Sequence, residues 1–81
     1  MMDSTLAYTK EVDARGLNCP LPILRTKKAL TTINPGDVLR ILSTDPHSQQ
    51  DFAAFAKQTG HSLIHTGNAE GIYFFYLQRN K

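Results

Sequence analysis

The 81-residue sequence contains a single cysteine, Cys19, and no tryptophan. One thiol excludes an intramolecular disulfide framework, and it leaves a peroxidase-type reading without a resolving cysteine. No apolar stretch approaches the roughly 20 residues that a membrane helix requires. Met1-Met2-Asp3-Ser4-Thr5-Leu6-Ala7-Tyr8 offers neither the basic region nor the apolar run of a secretory leader. The expected compartment is therefore the cytoplasm, where a lone thiol stays reduced. Charge of one sign is also scarce, with nine Lys+Arg against seven Asp+Glu and a formal net charge of +2. Only Lys27-Lys28 and Arg79-Asn80-Lys81 cluster. That is too thin for a dedicated nucleic-acid binder, so direct nucleic-acid binding is not expected, and an acidic protein partner remains compatible.

What is present suffices for one small folded domain spanning 1–81. A 41% hydrophobic fraction with 20% charged residues is ordinary for a globular chain. At this length a single two-layer core is the ceiling. Residues 1–6 read as a loose tail. Tyr8–Asp13 alternates weakly, as a short strand does, and Ala14-Arg15-Gly16-Leu17-Asn18 contains a turn glycine. A helix is predicted over Pro20–Thr32, with Pro20 and Pro22 in its first turn and Ile23, Thr26, Leu30 and Ile33 facing a core. Lys27 and Lys28 fall on the solvent side, and Asn34-Pro35-Gly36-Asp37 stops the helix.

Val38–Leu42 reads as a buried strand. Asp45-Pro46 resembles an N-cap with proline at the first helical position, and Phe52, Phe55, Ala56 and Thr59 give the second helix its apolar face before Gly60 ends it. Ser62–His65 is a third strand, Gly67–Gly71 a five-residue hairpin loop, and Ile72–Leu77 the last strand. The order β-α-β-α-β-β predicts an α+β two-layer sandwich, a four-stranded mixed sheet with both helices on one face.

The chemistry concentrates at Asn18-Cys19-Pro20-Leu21-Pro22. Thiolate is the nucleophilic form, and a helix N-terminus lowers a cysteine pKa below its reference of about 8.5. Placed at the N-cap of the first helix, Cys19 is expected to show such a lowering, moderated because the two prolines remove N–H donors. A packing cysteine would sit among Ile23, Leu30 and Leu42, whereas Cys19 lies in a turn, off every apolar stripe.

Asp13-Ala14-Arg15-Gly16-Leu17-Asn18-Cys19-Pro20-Leu21-Pro22 resembles the Asp-x-x-Gly-x-x-Cys-Pro-x-Pro signature of the TusA/SirA-like sulfur-carrier family. Lys27-Lys28-Ala29-Leu30, the Asn34–Asp37 turn and Asp45-Pro46 extend the likeness over nearly the whole chain. The resemblance implies a cysteine that is persulfidated by a cysteine desulfurase or a rhodanese-type sulfurtransferase. It also implies delivery to an acceptor such as a DsrE-like protein, in tRNA 2-thiouridine modification or in sulfur oxidation, by a monomer without a cofactor and as a carrier more than a turnover enzyme. Leu21 occupies a position where some members carry glutamate. By the same resemblance, Cys19 carries the sulfur while Pro20 and Pro22 position it. Gly16 permits the turn, Asp13 braces it through backbone N–H groups, and Arg15 and Arg25 are placed to favour thiolate or persulfide anion.

Two other constellations compete with the thiol. His61 and His65 would share one face of a strand about 13 Å apart, too far for one metal ion, and His47 starts the second helix. The run Tyr73-Phe74-Phe75-Tyr76 puts one aromatic pair on each face of its strand. A pair left open would support an alternative, a regulatory or RNA- or protein-binding module without thiol chemistry.

Overall fold

The computed structural model describes residues 7–81, so the expected tail at 1–6 lies outside the described residues. The elements run β1 (Lys10–Ala14), α1 (Leu21–Leu30), β2 (Val38–Ser43), α2 (Ser48–Thr59), β3 (Ser62–Ala69) and β4 (Ile72–Gln78). The sheet order is β1-β2-β4-β3, with β1 parallel to β2 and the remaining neighbours antiparallel. Both helices pack on one face of this mixed sheet and touch each other, as the element order predicted.

The core lies between the layers. Strand β2 alternates strictly, with Leu39, Ile41 and Ser43 buried toward the helices and Val38, Arg40 and Leu42 half-buried on the other face. Register places Ile41 opposite both Val12 and Phe75, and Leu39 opposite Leu77. Phe52 of α2 closes the layer by stacking on Phe75 at a centroid distance of 4.5 Å. Thr26, wholly buried in α1, satisfies its hydroxyl on the Pro22 carbonyl at 2.9 Å. Arg79 spans from the end of β4 to the carbonyl of Leu30, which α1 leaves without a partner as it ends, and to that of Ile33 in the loop beyond.

Several boundaries differ from the sequence reading. The hairpin between β3 and β4 has two residues, Glu70 and Gly71, both at positive φ (53° and 80°), as a tight primed turn demands. Gly67 is therefore inside β3, where its missing side chain makes room for the Phe74 ring; an added Cβ would meet that ring at 2.6 Å. Helix α2 starts at Ser48, not at Asp45-Pro46, and β3 runs to Ala69 with a register shift between Leu63 and His65. That irregularity breaks the alternation expected for His61 and His65; His61 precedes the strand and accepts the Asn80 N–H.

Candidate functional site

Parallel β1 and β2 end side by side, and each is followed by a loop leading into a helix. The two loops are stitched together. The Gly16 N–H donates to Thr44 Oγ1 at 2.9 Å, and the Cys19 N–H donates to Asp45 Oδ2 at 2.8 Å. Gly16 adopts φ +80°, which lets the β1–α1 loop turn back toward β2. Asp45 is nearly buried and uses its other oxygen on the His47 N–H and on His47 Nδ1. A buried Ser43–Ser48 hydroxyl contact at 2.5 Å fixes the far side of the same loop. The acceptor bonds from His47 and then Cys19 hold the Asp45 carboxyl below the usual carboxylate range.

Cys19 is exposed on this stitched corner. The N-cap of α1 is Pro20, so Cys19 sits one residue before the expected capping position, joined to Pro20 by a cis peptide bond. Pro22 is buried in the first turn, and Leu21 stands exposed at 46% beside the thiol segment. The thiol opens into a hollow between the helices, lined by Ile23 and Lys27 of α1 and by Asp51, Ala54 and Phe55 of α2.

The expected lowering of the Cys19 pKa does not occur; it is raised. The Asp51 side chain, which lines the same hollow as the thiol, is the first cause; some water is displaced, and the charges of Asp51 and Asp45 both oppose a thiolate. The thiol is exposed, and the Asp51 side chain comes ahead of desolvation among the causes.

Arg15 and Arg25 are a second correction. Arg15 forks onto Asp13, Nε to Oδ1 at 2.9 Å and a terminal nitrogen to Oδ2 at 3.0 Å. Asp13 also accepts the Arg15 N–H at 3.1 Å, the turn brace expected of it, and its pKa is lowered to about 2 chiefly by the Arg15 side chain. Arg25 shares a surface hollow with Lys10, Glu11 and Asp13. Both arginines thus serve Asp13, and the groups acting on the thiol are Asp51 and Asp45.

Sequence reasoning missed Asp51, and it read Lys27 as merely solvent-side although it lines the thiol's hollow. Asp51 lies 32 residues from Cys19, and only the packing of α2 against α1 brings them together. Nothing local marks that pairing.

On the opposite, helix-free face, Tyr76 is 5% exposed, covered by Tyr8, Arg40 and His65. The open stacking pair needed for the binding-module alternative is therefore not offered at Tyr76. Among the described residues no group of three His, Cys, Asp or Glu is arranged to hold a metal ion, and no helix is long and apolar enough to cross a membrane.

Residues 10–79 match the family described as sulfurtransferase TusA. The chain is 48% identical over 73 residues to the sulfur carrier protein TusA of Allochromatium vinosum, covering 90% of this chain and 96% of that one. It is 31% identical to the sulfur carrier protein TusA of Pseudomonas aeruginosa, covering 84% and 86%. A crystal structure of a SirA-like protein from Desulfitobacterium hafniense superposes with a TM-score of 0.78 at 25% identity, over 90% of this chain and 100% of the other.

Proposed function

This chain belongs to the TusA sulfurtransferase family of sulfur carriers, and from that premise we propose that the Sγ of Cys19 holds the cargo as a persulfide. The observation that carries the proposal is an exposed thiol on a corner braced from two loops, open to a protein partner and free of any disulfide. In loading, the Cys19 sulfur attacks the outer sulfur of a donor persulfide. A new S–S bond forms at Cys19 as the donor's S–S bond breaks, and the donor leaves as a thiolate. The thiol proton passes to that thiolate or to solvent, so nothing is oxidised or reduced overall. Unloading is the same exchange with the acceptor's thiolate as nucleophile.

Pro20, Pro22 and Gly16 hold the reacting sulfur in place, and Asp13 with Arg15 stiffens the approach from β1. The donor is a cysteine desulfurase or a rhodanese-type enzyme and the acceptor a DsrE-like protein, in the cytoplasm, with a monomer as the working unit; the signature around Cys19 supports these assignments. Delivery serves tRNA thiolation or sulfur oxidation on the same ground.

The test is loading by a desulfurase with cysteine as sulfur source, read by intact mass. The wild-type protein gains one sulfur atom, and Cys19→Ser gains none while keeping its circular dichroism spectrum. Equal loading of both proteins would overturn the assignment.

A further inference from the structure

A carrier thiol faces a chemical conflict. It must be nucleophilic in front of its donor, yet inert while it diffuses among other electrophiles. Cys19 shares its hollow with Asp51, from the first turn of α2, and with Lys27, eight residues or just over two turns along α1. Asp45, the other nearby carboxylate, is committed to the amides of Cys19 and His47 and to the His47 ring. Among the described residues Asp51 forms no ion pair. A half-buried carboxylate with no cation of its own thus faces the one thiol of the chain.

We propose that Asp51 gates the carrier site: in the free protein its carboxylate accepts the thiol hydrogen of Cys19, and a cationic side chain of the sulfur-donating protein pairs with Asp51 on docking and frees the sulfur to attack. The proposal rests on Cys19 as the sulfur-bearing atom and adds the chemistry by which a donor is recognised. The raised pKa of the thiol agrees with it, since a hydrogen-bonded carboxylate stabilises the protonated form. A cation brought to Asp51 removes the acceptor and neutralises the repulsion in one step. It also discriminates, because an anionic or neutral face against Asp51 leaves the thiol protonated. Lys27 is the local cation that faces the same hollow, and its place further along α1 leaves the Asp51 carboxylate without an ion-pair partner.

The experiment uses the full-length protein and its Asp51→Asn and Asp51→Glu variants. In the free proteins, the iodoacetamide alkylation rate is followed against pH. Asp51→Asn moves the profile to lower pH, and a midpoint lower by one pH unit makes the reaction about tenfold faster at neutral pH; Asp51→Glu restores the wild-type profile. The same proteins are loaded by a cysteine desulfurase with cysteine, and by a rhodanese with thiosulfate. Here Asp51→Asn behaves oppositely, needing about fivefold more carrier for half-maximal loading, the worth of one ion pair. Its loading also loses the salt sensitivity that the wild type shows.

Faster free alkylation combined with slower delivered loading is a crossing that a merely structural role does not produce. An unchanged alkylation profile, or desulfurase and rhodanese loading that is unaffected or improved in Asp51→Asn, overturns the gate. Wild-type loading equal to that of Cys19→Ser, or no loading from either donor, overturns the carrier reading first and the gate with it.

Discussion

The backbone N–H of Cys19 donates to Asp45 Oδ2 at 2.8 Å, joining the loop before α1 to the loop before α2 across 26 residues of sequence. The position of the thiol is therefore set by a carboxylate on another element. Ligand sites in open α/β sheets gather outside the carboxyl ends of parallel strands, and the Cys19–Asp45 bond closes that corner of β1 and β2.

Replacing Asp45 with asparagine leaves one acceptor oxygen where two N–H groups need one each. Either Cys19 or His47 then faces an amide donor, so both backbone signals shift in Asp45→Asn while the fold is retained. The pH dependence follows from the lowered pKa. The folded-state pKa of Asp45 lies below the unfolded value of about 3.9, so its contribution is complete above that value and is lost as pH falls through the lower one. Carboxyl NMR of Asp45 should place its own titration midpoint below about 3.9. A midpoint at or above 3.9 would show that the carboxylate is not holding these amides.

Asp13 offers a second titration with a different partner. Its pKa of about 2 comes first from the Arg15 side chain and next from the Arg15 backbone N–H. Arg15→Ala removes the first and keeps the second, so the Asp13 carboxyl should titrate higher, part of the way back to the ordinary value. Carboxyl NMR reads this directly. Because Arg15 is turned to Asp13, the Cys19 alkylation profile should be unmoved in the same variant; a change there would place Arg15 back at the thiol.

The fold was legible in the sequence because its signals are local. Val38–Leu42 is a branched apolar run between turns, and Phe52, Phe55 and Ala56 recur at helical spacing; all three are buried. The turn at Gly16, the exposed turn position of Cys19 and the Asp13 contact with the Arg15 N–H were legible for the same reason, since a turn keeps its partners within a few residues. The missed features are those created by tertiary contact. Thr66-Gly67-Asn68-Ala69 has little strand character, yet pairing with the apolar strand β4 extends β3 through it. The Cys19 pKa lies on the other side of its ordinary value because Asp51 arrives from 32 positions away, and no pattern around either residue announces the encounter.

The β3–β4 turn carries a cost that substitution can relieve. Glu70 holds φ 53°, a left-handed conformation that disfavours a residue with an ordinary side chain by about 1–2 kcal/mol. Asparagine tolerates that region better, so Glu70→Asn should stabilise the protein by several tenths to about 1 kcal/mol in urea unfolding. Gly71→Ala, at φ 80°, should destabilise it by about 1 kcal/mol. Opposite signs at adjacent positions are the signature of the two-residue turn. In a five-residue loop neither change would register so clearly.

Phe52 gives the largest expected effect. It is fully buried, stacked on Phe75, and follows Asp51 in α2, so it anchors the helix that presents the carboxylate to Cys19. Truncating a core phenylalanine to alanine costs about 3–5 kcal/mol, the lost transfer energy plus the cavity left behind. A domain of 81 residues has total stability of only about 4–12 kcal/mol at the usual per-residue value. Phe52→Ala should therefore lose a large part of the protein's stability, its urea midpoint lowered by about 3–5 M at a slope near 1 kcal/mol per molar. Phe52→Leu retains most of the volume and should lose much less. Because Leu keeps α2 seated, Phe52→Leu should also keep the wild-type alkylation profile at Cys19, whereas any loosening of α2 withdraws Asp51 and moves that profile toward lower pH. A loss below about 1 kcal/mol in Phe52→Ala would contradict the packing of Phe52 against Phe75 as the seat of this helix.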